Sequence, residues 1–191
     1  MYPKFLRLNY IAIIIACNCG SAIAQSNSYG HENWPGKNGI VKTHIEVPES
    51  LVFKYNLNIT RGSNDEFLFF DIIQHENKSI NKGRLQLEIF SSPADAQVGL
   101  VNYLNNLSTP FKPPRLSSES FNFGDVAFGE ENDGIFRVAF IRNNVLVIIF
   151  APTDKAKSIA REIDRQIQLA PEWKSNTTKP SFKLKKNEFT L

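Results

Sequence analysis

The stretch FGEENDGIF, residues 128–136, sets Glu130, Glu131 and Asp133 within four positions of one another. Carboxylates that close could hold a divalent cation or share acid–base work. A calcium loop, however, alternates its oxygen ligands around a glycine and adds a distal glutamate, as in D-x-[DN]-x-[DN]-G…E. The run E-E-N-D-G has neither the alternation nor the distal acid. Asn132-Asp133-Gly134 between two apolar runs is instead hairpin chemistry, because these residues accept the positive φ of a tight turn. The expectation is therefore a turn whose acids keep an exposed tip solvated. Asp125, next to Gly124, is expected to accept hydrogen bonds from turn amides, with a ligand role kept as a candidate.

The other reactive residue types are sparse. His31, His44 and His75 show no i, i+4 pairing and no H-E-x-x-H. Zinc takes three or four ligands, so without cysteine all three histidines would have to converge. The chain lacks G-x-S-x-G, G-x-x-x-x-G-K-[ST] and G-x-G-x-x-G, which removes the usual serine-nucleophile and phosphate-cradle signals. No catalytic residue, metal or cofactor is assigned. A metal-independent hydrolase with a dispersed Ser/His/acid site is the alternative reading. Its discriminating feature is a pocket where His44 or His75 meets a serine or carboxylate. Asp71 and Arg137 each interrupt an apolar strand pattern. They could pair across the sheet or line a pocket, but the expectation is that each charge reaches an edge or a solvent face.

Aromatic residues fall into two sets. Phe67, Phe69, Phe70, Phe90, Phe136, Phe140 and Phe150 lie in strand-like runs and are expected in the core. Phe111, Phe121 and Phe123 lie with Pro110, Pro113 and Pro114 in an irregular segment. With Asp125 they form a candidate rim for a ligand or partner, since clustered exposed aromatics mark interfaces.

The elements that would position these residues follow from periodicity. Residues 40–47, 51–57 and 66–74 read as strands, and 84–90 alternates, with Leu85, Leu87 and Ile89 on one face and Arg84, Gln86 and Glu88 on the other. Ser92-Pro93-Ala94-Asp95 is a helix start, with a capping serine and proline at the first helical position. Ala96, Leu100, Tyr103, Leu104 and Leu107 then share one helical face. Gly99 inside this helix costs about 1 kcal/mol relative to alanine, unless close packing demands it. Residues 109–120 read as a loop.

The pattern then recurs. Residues 126–129, 135–142 and 145–151 read as strands, the last (VLVIIFA) without a polar position and so central. Pro152-Thr153-Asp154 opens a second helix. Its apolar face is Ala156, Ile159, Ala160, Ile163 and Ile167; Lys157, Arg161, Asp164, Arg165 and Gln168 form its wet face, and Pro171 ends it. The expected fold class is α+β: an antiparallel β-sheet built from two β-hairpin–helix units, both helices packed on one face. One domain is expected over 40–170. Residues 25–39 are expected as a flexible lead-in, in which Trp34 alone packs on the domain edge. Residues 171–191 are expected as a tail that adds an edge strand or stays disordered.

The N-terminus bounds the setting. MYPKFLR carries Lys4 and Arg7 and no acid; an apolar run over 10–17 and Ala22-Ile23-Ala24 follow. That is the layout of a signal peptide over 1–24, and the apolar run is shorter than the roughly 20 residues a span needs. A competing reading takes Ile14-Ile15-Ala16-Cys17 as a lipobox with Cys17 lipidated. Cys17 and Cys19 are the chain's two cysteines, so a domain cleaved after Ala24 would hold no disulfide and no thiolate site. Removing Lys4 and Arg7 also brings the net charge of +3 closer to neutral, so nucleic-acid binding has little support. Asn58, Asn77, Asn106 and Asn176 head N-x-[ST] sequons, which signify glycosylation only in a eukaryotic host.

Residues 84–168, through GDVAFGEENDGIFRVAFIRNNVLVIIFAP and AKSIAREIDRQI, resemble bacterial exported domains of uncharacterised function with a PsbP/Mog1-like α/β architecture. Asn143-Asn144 stands where those sequences more often have glycine, and asparagine also tolerates positive φ. The resemblance transfers no catalytic residue; it implies export and a binding or accessory role. The expectation is an exported bacterial envelope protein, periplasmic or secreted. Its partner is expected to be an envelope protein or a small apolar ligand, with a membrane involved only if Cys17 is lipidated.

Overall fold

The computed structural model describes residues 29–60, 63–73, 83–107, 113–117, 121–174 and 179–185. In chain order the elements are β1 (Ile45–Pro48), α1 (Glu49–Tyr55), β2 (Leu57–Ile59), β3 (Phe67–Ile72), β4 (Gly83–Ile89), α2 (Pro93–Asn105), β5 (Val126–Asn132), β6 (Ile135–Arg142), β7 (Val145–Pro152), α3 (Thr153–Leu169) and β8 (Phe182–Lys185). The fold is α+β. Six strands form an antiparallel sheet in the order β2-β3-β4-β7-β6-β5, and β1 and β8 pair in parallel as a separate two-stranded sheet. Residues 1–24, expected as a signal peptide, lie outside the described residues, with Cys17 among them, as do Phe111 and His75. No described helix is long and apolar enough to cross a membrane.

The six-stranded sheet is two meanders, β2-β3-β4 and β5-β6-β7, meeting at the central β4–β7 pair. All-apolar β7 is central because both its faces are covered. Val145, Val147, Ile149 and Ala151 face the core beneath α3, and Leu146 and Ile148 face the second core, beneath α2. Both helices on one face, the arrangement expected from the repeated strand–helix pattern, is therefore corrected: they lie on opposite faces and the domain has three layers. The junctions explain the difference. Phe90 stands three residues before Pro93, while Phe150 stands two before Pro152. In extended chain one residue reverses the face a side chain meets. The first chain turns onto the Phe90 side and the second onto the Ala151 side.

Residues 51–57, expected as a strand, are mostly α1. Leu51 and Tyr55 are buried one turn apart while Phe53 between them is 67% exposed, which is helical and not alternating burial. Pro48 precedes the first turn, and Asn56 closes the helix in the left-handed region at φ 50, where asparagine is tolerated. A short apolar run supports either period, so the caps decide.

The cap of α2 forms as read: the Ser92 side chain accepts from Asp95 N at 3.1 Å, with Pro93 in the first turn. A Cβ on Gly99 would come within 2.4 Å of Phe90 Cζ, so this helix seats on the Phe90 ring through its glycine. Trp34 and part of the tail, the pieces of the two flanking segments expected to reach the domain, pack onto it. Trp34 is buried against Phe128 on the α2 face, and β8 lies along β1 with Phe182 in the α3-side core. The outer edge of β5 is covered by residues 114–116, through Leu116 N to Ala127 O and Gly129 N to Pro114 O, which blunts a strand edge open to pairing.

Candidate functional site

Helix α2 packs on β6 and β7; beyond it, on the same face, β4 presents Arg84, Gln86 and Glu88, and β3 presents Phe67, Phe69 and Asp71. Cross-strand register aligns one rung across all six strands: Asn58, Asp71, Arg84, Phe150, Arg137 and Glu130. The next rung inward places Phe69, Gln86, Ile148 and Ala139 side by side. Tyr103, from α2, borders the uncovered half. Together they line a groove of about 410 Å³ whose floor is Ile148 and Phe150 and whose polar groups include Asp71, Arg84, Gln86, Tyr103 and Arg137. That volume falls at the lower end of the roughly 300–1,000 Å³ typical of small-molecule sites.

The groove's charges are unequally committed. Arg137 reaches Glu130 at 3.7 Å, and its guanidinium lies 5.7 Å from the centre of the Phe150 ring. Arg84 and Asp71 are cross-strand neighbours, yet among the described residues neither forms an ion pair. Burial pushes the Tyr103 hydroxyl above its ordinary value, with Arg137 pulling it down and Glu130 pushing it up. The phenol thus keeps its proton at neutral pH and remains a donor. Burial likewise raises Glu88 on the same face of β4. Phe150, expected in the core, is 39% exposed and forms part of the groove floor. Asp71 and Arg137 do not pair with each other, being separated by β4 and β7.

A second cavity, of about 450 Å³, is lined by Phe121, Phe123, Asp125 and the covering segment around Arg115. Its one acid, Asp125, is already engaged. Asp125 Oδ1 accepts from Arg142 Nη1 at 2.8 Å and Asp125 Oδ2 from Asn143 N at 2.7 Å, so its partners are a guanidinium and one amide of the β6–β7 turn, distant in sequence and not the local amides expected for it. Phe123 is only 4% exposed and packs on Phe140, and Phe121 stacks on Phe136. These two rings therefore close the α3-side core and do not stand out as a rim.

The acidic stretch resolves into separate contacts. Asp133 and Gly134 form the turn with φ of 49 and 74. Glu130 pairs with Arg137 on one face of the sheet, and Glu131 pairs with Lys157 of α3 on the other. Among the described residues no group of three potential ligands gathers. His44 Nδ1 lies 3.1 Å from Ser181 Oγ, away from both cavities. His31 sits beside Glu32 at 3.5 Å.

Sequence reasoning did not single out Arg142, and it read Asn144 only as a turn residue and Asp164 only as part of a wet helix face. Asp164, placed on the wet face of its helix, is 3% exposed and corrects that expectation. It is buried because Arg142 Nε, Arg142 Nη2, Gly124 N and Gln168 Nε2 all donate to it. Arg84 was read only as part of an alternating polar face; its neighbours across the sheet are what make it a candidate. Comparison of the chain with protein-family models, curated proteins and solved structures found no match.

Proposed function

We propose that the protein is an exported bacterial envelope domain that binds a small ligand in the sheet-face groove and does not transform it. The observation that carries this reading is the Arg84–Phe150–Arg137 rung: two guanidiniums flank an exposed aromatic ring in the groove that Tyr103 of α2 borders. Concave apolar floors with a few convergent polar groups are the usual form of ligand sites. The basic, apolar and A-x-A pattern of residues 1–24 supports export, as does the resemblance to bacterial exported domains. In a lipidated form, Cys17 would tether the domain to a membrane.

Two measurements test this reading. Fractionation with sequencing of the mature N-terminus reads export, expected to yield Gln25 or a lipidated Cys17; a full-length cytoplasmic chain would overturn it. Native mass spectrometry of the domain released from envelope reads the groove. Gln86→Trp, which fills the groove from the exposed face of β4, should release any co-purifying small molecule. A ligand retained by that variant would place binding elsewhere.

A second reading rests on the His44–Ser181 contact. With Nδ1 unprotonated, the serine hydroxyl donates to it, the polarity a nucleophilic serine needs. His44 also has φ 51, a conformation that is uncommon outside glycine and that clusters at functional sites. A hydrolase of this kind would label with a fluorophosphonate at Ser181, and Ser181→Ala would remove both label and turnover. Absence of labelling in a folded sample retires this reading.

A further inference from the structure

We infer that the groove selects an organic anion, a small carboxylate with an apolar body, and that Arg84 is its charge anchor. This rests on the reading of the groove as a binding site and adds the class of ligand. The lining holds two arginines, Arg84 and Arg137, against one acid, Asp71. Arg137 is partly answered by Glu130 and is turned over the Phe150 ring. Arg84 is exposed on β4 and has no ion pair among the described residues. It is therefore the groove cation whose charge a ligand can meet without displacing an ion-pair partner among the described residues. A planar guanidinium binds a carboxylate through two parallel hydrogen bonds, the strongest neutralisation such a groove can offer.

The same geometry fixes where the rest of the ligand lies. Arg84 and Arg137 stand two strand spacings apart, about 10 Å, with Phe150 between them. A carboxylate on Arg84 leaves its body over Phe150 and Ile148, under the Tyr103 ring. Tyr103 offers one hydroxyl donor at that end. Phosphate-rich ligands fit less well. The groove floor belongs to β4 and β7, central strands flanked by partners on both sides, so their backbone amides are engaged in the sheet ladder and cannot form a phosphate cradle. A cationic ligand would meet the Arg84 guanidinium, which has no ion pair among the described residues, with Asp71 as the one acid in the lining.

The test is calorimetric titration of the full chain with phenylacetate, phenylbutyrate, octanoate and decanoate, each against its neutral amide. At least one carboxylate should bind, and its amide should bind about ten- to hundredfold more weakly. Arg84→Gln should weaken the carboxylate to the level of the amide and leave the amide unchanged. Because Arg84 is exposed, the thermal melt of that variant should match wild type. Equal affinity of acid and amide, both abolished by Gln86→Trp, would overturn the anion inference while leaving the groove as the binding site. Binding that survives Gln86→Trp, or no binding by any probe, would overturn the groove reading and the anion inference with it.

Discussion

Arg142 at the end of β6 and Asp164 in the middle of α3 form a two-pronged ion pair, Nε to Oδ1 at 2.7 Å and Nη2 to Oδ2 at 3.1 Å. Asp125 holds the remaining prong of the guanidinium at 2.8 Å, and Gly124 N donates to Asp164 at 2.9 Å. One arginine thus joins the helix, the strand and the segment leading into β5. The paired acids raise its pKa against the opposing effect of burial.

Removing Asp164 leaves a half-buried guanidinium and a backbone amide short of partners. Asp164→Ala should therefore destabilise the domain by about 3 kcal/mol. Asp164→Asn, which keeps an acceptor but not the charge, should cost less. Urea unfolding of both variants measures this. Equal, small losses would mean that the network contributes little beyond geometry.

The β6–β7 turn separates two asparagines with different roles. Asn143 takes the left-handed conformation at φ 53, and its backbone N donates to Asp125. Glycine satisfies both requirements, so Asn143→Gly should stay within about 0.5 kcal/mol of wild type. Asn144 is fully buried; its side chain accepts from Lys42 N and donates to Lys42 O and Phe90 O. Asn144→Ala strands three buried backbone groups and should cost about 3 kcal/mol. Thermal melts of the two variants should differ by several degrees; similar melts would show that the side-chain bonds of Asn144 are replaced by water.

This contrast shows what the sequence made legible. Local chemistry was readable: the Asp133-Gly134 turn, the Ser92 cap and the apolar face of α3 depend on neighbours a few residues away. The roles of Arg84, Asn144 and Asp164 depend on partners brought close by strand order, which periodicity does not encode. Asp164 stands at a polar position of a helical pattern, and only the approach of Arg142 buries it. The placement of α2 turned on a single residue of spacing after β4, below the resolution of a repeat comparison. The groove was unreadable for the same reason, since Asp71, Arg84, Phe150 and Arg137 come from four strands.

Gly99 and Phe90 form a pair whose coupling can be measured. In a free helix Gly99→Ala gains about 1 kcal/mol. Here the added methyl meets the Phe90 ring at 2.4 Å, so Gly99→Ala should destabilise the wild-type protein. In a Phe90→Ala background the obstruction is gone and the same change should stabilise by about 1 kcal/mol. A double-mutant cycle reads the reversal. A stabilising Gly99→Ala in both backgrounds would show that the ring shifts freely and that the helix does not depend on its glycine.

Glu88 supplies a pH-dependent signature of the groove face. It lies opposite Phe67 and Leu146 on neighbouring strands, and burial raises its pKa above the ordinary 4.5. The folded state therefore holds this proton more tightly than the unfolded chain. Its contribution to stability is full below the ordinary value and is lost as pH rises through the raised folded value. At neutral pH the charged form is a small penalty, discounted because the site is partly solvated. Glu88→Gln removes the titration and should stabilise by less than about 1 kcal/mol at pH 7. Thermal melts of both proteins from pH 3 to pH 8 read the difference, which should shrink as the medium is acidified through the carboxylate range. A constant difference across that range would mean that the gain comes from packing and not from the charge.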